Sequence, residues 1–481
     1  MQLEFKPEGG LFQRVENLVK VALDLPYGMS DEELEGVVDF LSPDTAHFIE
    51  GIMNPRFRDE GLAFMKMIGE WMLEARQARE DGRKVVLVPF NFPPEVIHIF
   101  KKAVPLTSEV LSTIGVVALE GQGERYWDHA MGMGIPDYLC SSSTIELGSV
   151  LTGNDFEPDI IVQSAPGACD ANSKIHEFVA LHMDIPQVFL ERPVEVTSRG
   201  REVYRRFFLG FIRQLEELLD EELDEEHMRE VLEGANSASG LYYDLYDLRK
   251  FSPCPVPNIF NIFTYGVRFT VWGKPRAILF LERMIDAARR RLENGDYPAE
   301  QEVARCMWLY VGYYFDILGF FNWMEEHGIT YLNDVLSLIR PQFIDTASKE
   351  SMLMTLADVC FDYPMTRQMG ADSMSLAWID DMSRAIQELD ANCAIYSGHH
   401  ACKQTWSVIS KVRSEITGRT GAPVLCLQGD AWIRRMTPIS VLQEEISSFV
   451  DNVLYKKRRK SRRKNSAQKS GPDQPPSGEL M

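Results

Sequence analysis

The chain has 481 residues, of which 45% are hydrophobic and 25% are charged, a composition typical of globular proteins with a large core. Its formal net charge of −21 is unevenly placed. Nine Lys and Arg residues follow Tyr455, and the part of the chain before them has 41 basic and 69 acidic residues, a net charge of −28. Because so acidic a surface repels phosphate backbones and anionic lipids, we expect no nucleic acid and no membrane as a partner.

Cysteine usage indicates a reducing compartment. The eight cysteines are spread singly, without a CxxC pair, as is usual in cytoplasmic proteins. The N-terminal segment MQLEFKPEGG lacks the basic and apolar regions of a signal peptide. The most apolar segment, Cys306 to Met324, is interrupted by Asp316 and Asn322 and divides into an aromatic strand and the start of a helix. A cytoplasmic location without a transmembrane segment is therefore predicted.

The first 198 residues predict a helical region followed by an α/β domain. Residues 1–80 have helical periodicity, clearest in GLAFMKMIGEWMLEARQARE. Short strands alternate with helices in the first α/β domain, residues 81–198, which indicates a parallel sheet. The predicted elements are a strand at Lys84–Val88, a helix from Glu95, a strand at Asp159–Gln163, a helix at Asn172–Met183 and a strand at Gln187–Leu190.

The remainder predicts a second α/β domain after a helical connection. Residues 199–300 form the connecting region, and residues 301–455 form the second α/β domain, which ends in a helix near Val441–Val453. The tail, residues 456–481, is basic and then rich in Pro, Ser and Gly, so it is predicted to be disordered and solvated, with a nucleic-acid or membrane role for its basic part as the alternative. The expected fold class is α/β, with two open parallel-sheet, Rossmann-like domains that flank a cleft and with additional helical segments.

Two strand-to-helix connections have the same layout. IIVQSAPGACDANSKIHEF and AIYSGHHACKQTWSVISKV each contain an apolar strand, a serine, a cysteine five residues later and a helix. The pairs are Ser164 with Cys169 and Ser397 with Cys402. The repeat predicts two related domains, each with a thiol beyond the carboxyl end of a strand, where open α/β sheets bind ligands.

A cysteine at a helix start has a chemical consequence, because the free N–H groups there favour the thiolate that binds metal. Cys140, which precedes the small polar run SSST, is a third candidate. Three thiolates from separate loops suit an iron-sulfur cluster with one open iron, and zinc held with His399 or His400 is the alternative. For a single one of these cysteines, simple burial is a further alternative, and burial also accounts for Cys306, Cys360, Cys393 and Cys426.

Several segments occur in an order that resembles a known family. They are FPPEVIHIF, PDYLCSSSTIELG, PDIIVQSAPGACDANSK, DIPQVFLERP and GHHACKQTWSVISKVRSEITGRTGAPVLCLQGD. Over residues 80–455 the chain resembles the 2-hydroxyacyl-CoA dehydratase and benzoyl-CoA reductase family, and its last block is most similar to the larger, alpha-type subunits.

The resemblance implies a 4Fe-4S cluster with Cys140, Cys169 and Cys402 as ligands. It also implies a homologous smaller subunit, an acyl-CoA substrate and a separate ATP-dependent iron-sulfur activator that delivers one electron. In the dehydratases this electron forms a ketyl radical that expels the hydroxyl group of a 2-hydroxyacyl-CoA, whereas the reductases reduce an aromatic ring. The chain has no GxxxxGK[ST] motif, so ATP coupling is expected in the partner.

The substrate side of the site is less defined. The first loop reads VPFNFPPE, with Phe90 and Asn91 where some relatives have hydroxyl groups. Asn91, Glu95, His399 and His400 are the candidate catalytic residues, each with a capping or structural role as the alternative. Beside dehydration and aromatic ring reduction, a non-catalytic subunit that binds acyl-CoA or a partner, and a zinc hydrolase, also remain open.

Overall fold

The computed structural model describes residues 10–41, 43–119, 123–153, 155–165, 169–193, 196–340, 342–369 and 375–455. The predicted disordered tail, residues 456–481, lies outside these residues. The described part contains two sheets, each of four parallel strands. The prediction of an α/β fold with two parallel-sheet domains is therefore confirmed.

The first sheet has the strand order β2-β1-β3-β4. The predicted strand at Lys84–Val88 is confirmed, and the next two predicted strands are correct to within two residues. The elements are β1 (Lys84–Val88), α5 (Glu95–His98), β2 (Ala103–Thr107), α6 (Ser108–Ala118), α7 (Gly123–Gly132), α8 (Ser141–Val150), β3 (Ile160–Ala165), α9 (Asp170–Met183) and β4 (Gln187–Glu191).

Strand β2 was not predicted from the sequence, because it is short and contains Pro105. Proline lacks an N–H donor and is therefore confined to sheet edges, and β2 is an edge strand. The carbonyl oxygen of Pro105 accepts a hydrogen bond of 2.9 Å from the Trp71 indole, which anchors this edge to the N-terminal helices.

The second sheet repeats the first, with the order β6-β5-β7-β8. Cys169 follows β3 and Cys402 follows β7, which occupy equivalent places in the two sheets, so the internal repeat seen in the sequence has a counterpart in the topology. The elements are β5 (Ala304–Trp308), α14 (Ile317–Glu326), β6 (Ile329–Asn333), α15 (Lys349–Phe361), α16 (Thr366–Met369), α17 (Leu376–Glu388), β7 (Cys393–Tyr396), α18 (Lys403–Thr420), β8 (Val424–Cys426) and α19 (Ile439–Phe449).

Helices precede the first sheet and connect the two sheets. They are α1 (Leu11–Leu23), α2 (Asp31–Val38), α3 (Pro43–Ile52) and α4 (Arg58–Gln77), then α10 (Ser198–Leu219), α11 (Glu225–Leu248), α12 (Phe260–Thr270) and α13 (Pro275–Asn294). Helices α4 and α12 pack against each other and against α13. Among the described residues, no helix has the length and apolar character needed to cross a membrane. The domain boundaries proposed from the sequence stay a prediction.

Both sheets are buried on their two faces. Val85, Val86 and Val88 of β1 have no exposed surface, and neither do the four residues of β7. Helices cover each face, as parallel sheets require. The loops beyond the carboxyl ends of the strands are therefore the parts of the two domains that are free to shape a binding site.

Candidate functional site

A cavity of about 950 Å³, including the space open at its mouth, lies where the carboxyl ends of the two sheets meet. Residues that follow six of the eight strands line it. They are Phe90 after β1, Glu109 after β2, Asp170 after β3, Tyr310 after β5, Leu336 after β6 and Cys402 after β7. Both domains thus contribute to one site, at the place where open α/β folds bind ligands.

Three cysteines line this cavity, and each is the N-cap of a helix. Cys140 caps α8, Cys169 caps α9 and Cys402 caps α18. The Cys169 sulfur accepts a hydrogen bond of 3.4 Å from the backbone N–H of Asn172, in the first turn of its helix. The three cysteines become N-caps for the same local reason: a loop ends at each cysteine, and a helix begins directly after it.

The three thiols lie close to one another and to Tyr310. The Tyr310 hydroxyl donates to the Cys402 sulfur at 3.4 Å. Burial, followed by the charges of all three thiols, raises the pKa of Tyr310. The Cys140 thiol contacts Cys169, and that hydrogen bond, together with burial, raises the pKa of Cys140 well above its ordinary value. Burial also raises the pKa of Cys402.

These pKa shifts differ from the expectation that helix N-termini would make the thiols more acidic. For Cys140 the contact with Cys169 and burial, and for Cys402 burial, outweigh the effect of the helix ends. Three thiolates need a compensating positive charge here, which is what bound iron or zinc supplies. The donor set therefore fits a metal centre of the kind that cysteines ligate.

The described residues contain no group of three or more His, Cys, Asp or Glu side chains close enough to hold a metal ion. A four-iron cluster does not require such convergence, because each thiolate binds a different iron. Cys140, Cys169 and Cys402 line one cavity and come from three separate loops, which suits a group that contains several irons.

His399 lies behind Cys140 rather than on the cavity wall. Its Nε2 atom is 3.6 Å from the Cys140 sulfur, and its Nδ1 atom is 2.9 Å from a carboxylate oxygen of Asp430. Both His399 and Asp430 are 1% exposed. Asp430 also accepts hydrogen bonds from the Ser141 hydroxyl at 2.7 and 2.9 Å, which ties it to the start of α8.

Burial alone would lower the pKa of His399. The Asp430 carboxylate opposes burial and raises the pKa of this histidine to about 10. His400 is exposed, and its backbone N–H donates to the carbonyl oxygen of Gly429 at 2.8 Å. The structure therefore separates two histidines that are adjacent in the sequence, and only His399 contacts a candidate ligand.

Asn91 and Glu95 are not among the residues that line the cavity. Asn91 is 3% exposed, and its side-chain oxygen has no hydrogen-bond partner among the described residues. Glu95 forms a buried ion pair with Arg268, whose two terminal guanidinium nitrogens donate hydrogen bonds of 2.9 and 3.1 Å to the carboxylate oxygens. This ion pair favours the structural alternative for Glu95, whose catalytic role stays a prediction.

Glu109 is a cavity residue that the sequence analysis missed. Its carboxylate accepts hydrogen bonds from the Phe90 backbone and the Ser108 hydroxyl, each at 3.0 Å, and from the Asn172 amide. Burial raises the pKa of Glu109 to about 7. Through Asn172 the carboxylate is linked to the loop of Cys169. A signal existed, since Ser108 and Glu109 follow an apolar run, but β2 was not recognised as a strand.

The fold and the site together define a two-domain α/β protein with a buried, thiol-lined cavity between its sheets. The chain belongs to the 2-hydroxyglutaryl-CoA dehydratase D-component family, whose model matches residues 89–453. It is also similar, with 26% identity over 231 residues, to the alpha subunit of (R)-phenyllactyl-CoA dehydratase from Clostridium sporogenes. That match covers 46% of this chain and 56% of the relative, so it spans little more than half of the relative's length.

Proposed function

We propose that this chain is the iron-sulfur subunit of a 2-hydroxyacyl-CoA dehydratase-like enzyme. The enzyme removes water from a 2-hydroxyacyl-CoA through a ketyl radical, after an activator has delivered one electron at the expense of ATP. The single observation that carries the proposal is the set of three helix-capping cysteines around one inter-domain cavity, in a chain of this family.

Cys140, Cys169 and Cys402 are the residues that would hold a 4Fe-4S cluster. When bound, such a cluster supplies a low-potential electron and an open iron that can act as a Lewis acid toward a substrate oxygen. The helix N-termini beneath the three sulfurs stabilise the negative charge of the thiolates. His399 and Asp430 fix the side of the site next to Cys140.

Glu109 handles a proton in this proposal. Dehydration removes a hydroxyl group from C2 and a proton from C3, and the hydroxyl must gain a proton to leave as water. A carboxyl group whose pKa is about 7 exchanges protons readily at neutral pH. The hydrogen bonds from Phe90 and Ser108 hold this carboxyl at the cavity wall. Asn91, His399 and His400 do not line the cavity, so their proposed roles are indirect.

The apolar walls of the cavity protect a radical from water. Val110, Ile114, Phe269 and Met365 each line it and are less than one-tenth exposed. A dry site also strengthens the effect of every charge within it.

The proposed partners are a homologous smaller subunit, an ATP-dependent iron-sulfur activator and the acyl-CoA substrate. The similar protein from C. sporogenes is named as an alpha subunit, which supports a partner subunit. The activator is proposed because the chain has no phosphate-binding GxxxxGK[ST] loop of its own.

Anaerobic reconstitution with iron and sulfide tests the proposal. The protein is expected to take up about four irons and to show broad visible absorption. Cys140→Ala, Cys169→Ala and Cys402→Ala should each reduce the iron content. The matched control is Cys426→Ala, because Cys426 is also half-buried but does not line the cavity. Iron-free protein after reconstitution, or equal loss in the control, would refute the ligand assignment.

The reaction itself is tested with the partner subunit and activator present. Loss of water from a 2-hydroxyacyl-CoA, followed by mass spectrometry of the CoA thioester, is the expected outcome. Reduction of an aromatic ring with no dehydration would replace the proposed function by that of a benzoyl-CoA reductase.

A further inference from the structure

The cavity wall that α12 contributes is apolar and largely aromatic. Ile262, Tyr265, Gly266 and Phe269 line it at positions i, i+3, i+4 and i+7, so one face of the helix is turned toward the site. Gly266 permits a close approach of Phe64, because a Cβ atom there would lie 2.2 Å from the Phe64 ring. The sequence FNIFTYGVRFT thus supplies a wall of rings next to the thiols.

The rings along this wall contact one another in a continuous series. The Phe90 and Phe269 centroids are 6.5 Å apart, and those of Phe269 and Tyr265 are 6.2 Å apart. Tyr265 continues to Tyr314 at 6.3 Å, and Tyr314 to Trp432 at 5.0 Å. A planar ring that enters this space finds aromatic faces and edges, which favour it over an aliphatic group of equal size.

Positive charge is scarce around the cavity. Lys403 is the one cationic side chain among the described lining residues. It is about half exposed, and its ammonium group is 3.1 Å from the carboxylate of Asp170. The other charged lining residues are both acids, Asp170 and Glu109, and Glu109 is buried in the wall. A carboxylate at the far end of an acyl group would therefore be buried without a counter-ion and next to an acidic side chain, which is unfavourable.

Two buried hydroxyl groups add polar contacts without charge. Tyr265 and Tyr314 both line the cavity, and their hydroxyl oxygens have no hydrogen-bond partner among the described residues. A buried hydroxyl without a partner is costly, so these groups favour a ligand that carries an uncharged polar atom within reach.

We infer that the acyl group accepted here is uncharged and carries an aromatic ring, which packs against the wall formed by Tyr265, Phe269 and Phe90. This inference rests on the proposed function, and it excludes a dicarboxylic acyl group such as glutaryl. Among the described lining residues the one cation, Lys403, is already paired with Asp170, and this decides the charge, whereas the series of ring contacts decides the aromatic character.

Binding of three CoA thioesters to the full-length, iron-reconstituted chain tests the inference by anaerobic calorimetry. The ligands are 3-phenylpropanoyl-CoA, 4-methylpentanoyl-CoA and glutaryl-CoA, with free CoA as the reference. They share the CoA moiety and lack the 2-hydroxyl group, so the differences report on the acyl group alone. The phenylpropanoyl ligand is expected to bind at least about tenfold more tightly than the glutaryl ligand and severalfold more tightly than the methylpentanoyl ligand.

A variant pair assigns the preference to the wall. Phe269→Leu should reduce the preference for the phenyl over the methylpentanoyl group, whereas Phe189→Leu, at a half-exposed position on β4 outside the cavity, should leave it unchanged. An unchanged preference in Phe269→Leu would overturn the assignment to this wall.

The remaining outcomes distinguish the inference from the function on which it rests. Equal or tighter binding of glutaryl-CoA would overturn the uncharged class, and equal binding of methylpentanoyl-CoA would overturn the aromatic class. Either result leaves the acyl-CoA function intact. If no thioester binds more tightly than free CoA, the result refutes both the proposed function and the inference that rests on it.

Discussion

Replacing Glu95 by glutamine is expected to destabilise the fold rather than to remove a catalytic group. Glu95 and Arg268 are 1% and 3% exposed, and two hydrogen bonds of 2.9 and 3.1 Å join them. The Arg268 guanidinium also lies over the rings of Trp272 and Tyr363, at 4.7 and 4.4 Å from their centroids. The pair connects α5 of the first domain to α12, the helix that forms the aromatic wall.

The size of the effect follows from burial. Glu95→Gln leaves the Arg268 charge uncompensated in a site closed to water, and removing one partner of a buried ion pair costs about 3–5 kcal/mol. The double variant Glu95→Gln/Arg268→Met removes both charges and keeps most of the volume. It should therefore recover much of the lost free energy of unfolding.

Thermal unfolding of the full-length chain measures this difference. Glu225→Gln is the control, because Glu225 pairs with Arg229 at a distance of 2.7 Å but is half exposed. Loss of this ion pair should lower the free energy of unfolding by less than about 1 kcal/mol. If Glu95→Gln unfolds at the same temperature as the parent protein and loses only dehydration activity, the structural role is wrong and Glu95 is catalytic.

Two further predictions concern groups near the thiols. Glu109 has a pKa raised by burial from 4.5 to about 7, so the folded protein holds a proton that the unfolded chain releases, and its stability should fall as the pH rises from about 4.5 to about 7. Glu109→Gln should weaken this pH dependence in unfolding experiments, and an unchanged profile would contradict the assignment. His399→Phe removes a hydrogen-bond donor 3.6 Å from the Cys140 sulfur, so it should lower the midpoint potential of the iron-loaded protein in an anaerobic redox titration. The exposed control His400→Phe should not change the potential, and equal potentials in the parent protein and His399→Phe would refute the role.

Contacts between segments that are distant in the sequence determine which residues line the site and which have a structural role. Glu95 is paired with a residue 173 positions away, and Asp430 reaches Ser141 across 289 positions. Glu109 is a cavity residue because it follows the carboxyl end of β2, at the edge of the sheet where the cavity lies. Hydrophobic periodicity reports only on near neighbours, so none of these pairings was predictable from it.

The sequence by itself determined the two α/β domains, the strand-helix junctions at Cys169 and Cys402, and the matching layout of those junctions. These features arise from local patterns: apolar runs that form buried strands, and helix starts that follow them within a few residues. Tertiary structure decided that Cys140 lies beside the other two thiols and that His399 contacts the Cys140 sulfur while His400 faces solvent. It also decided that α12 turns a face of rings toward the cavity. The physical reason is that burial and charge pairing are properties of the packed chain, and they assign opposite environments to residues that are adjacent in sequence.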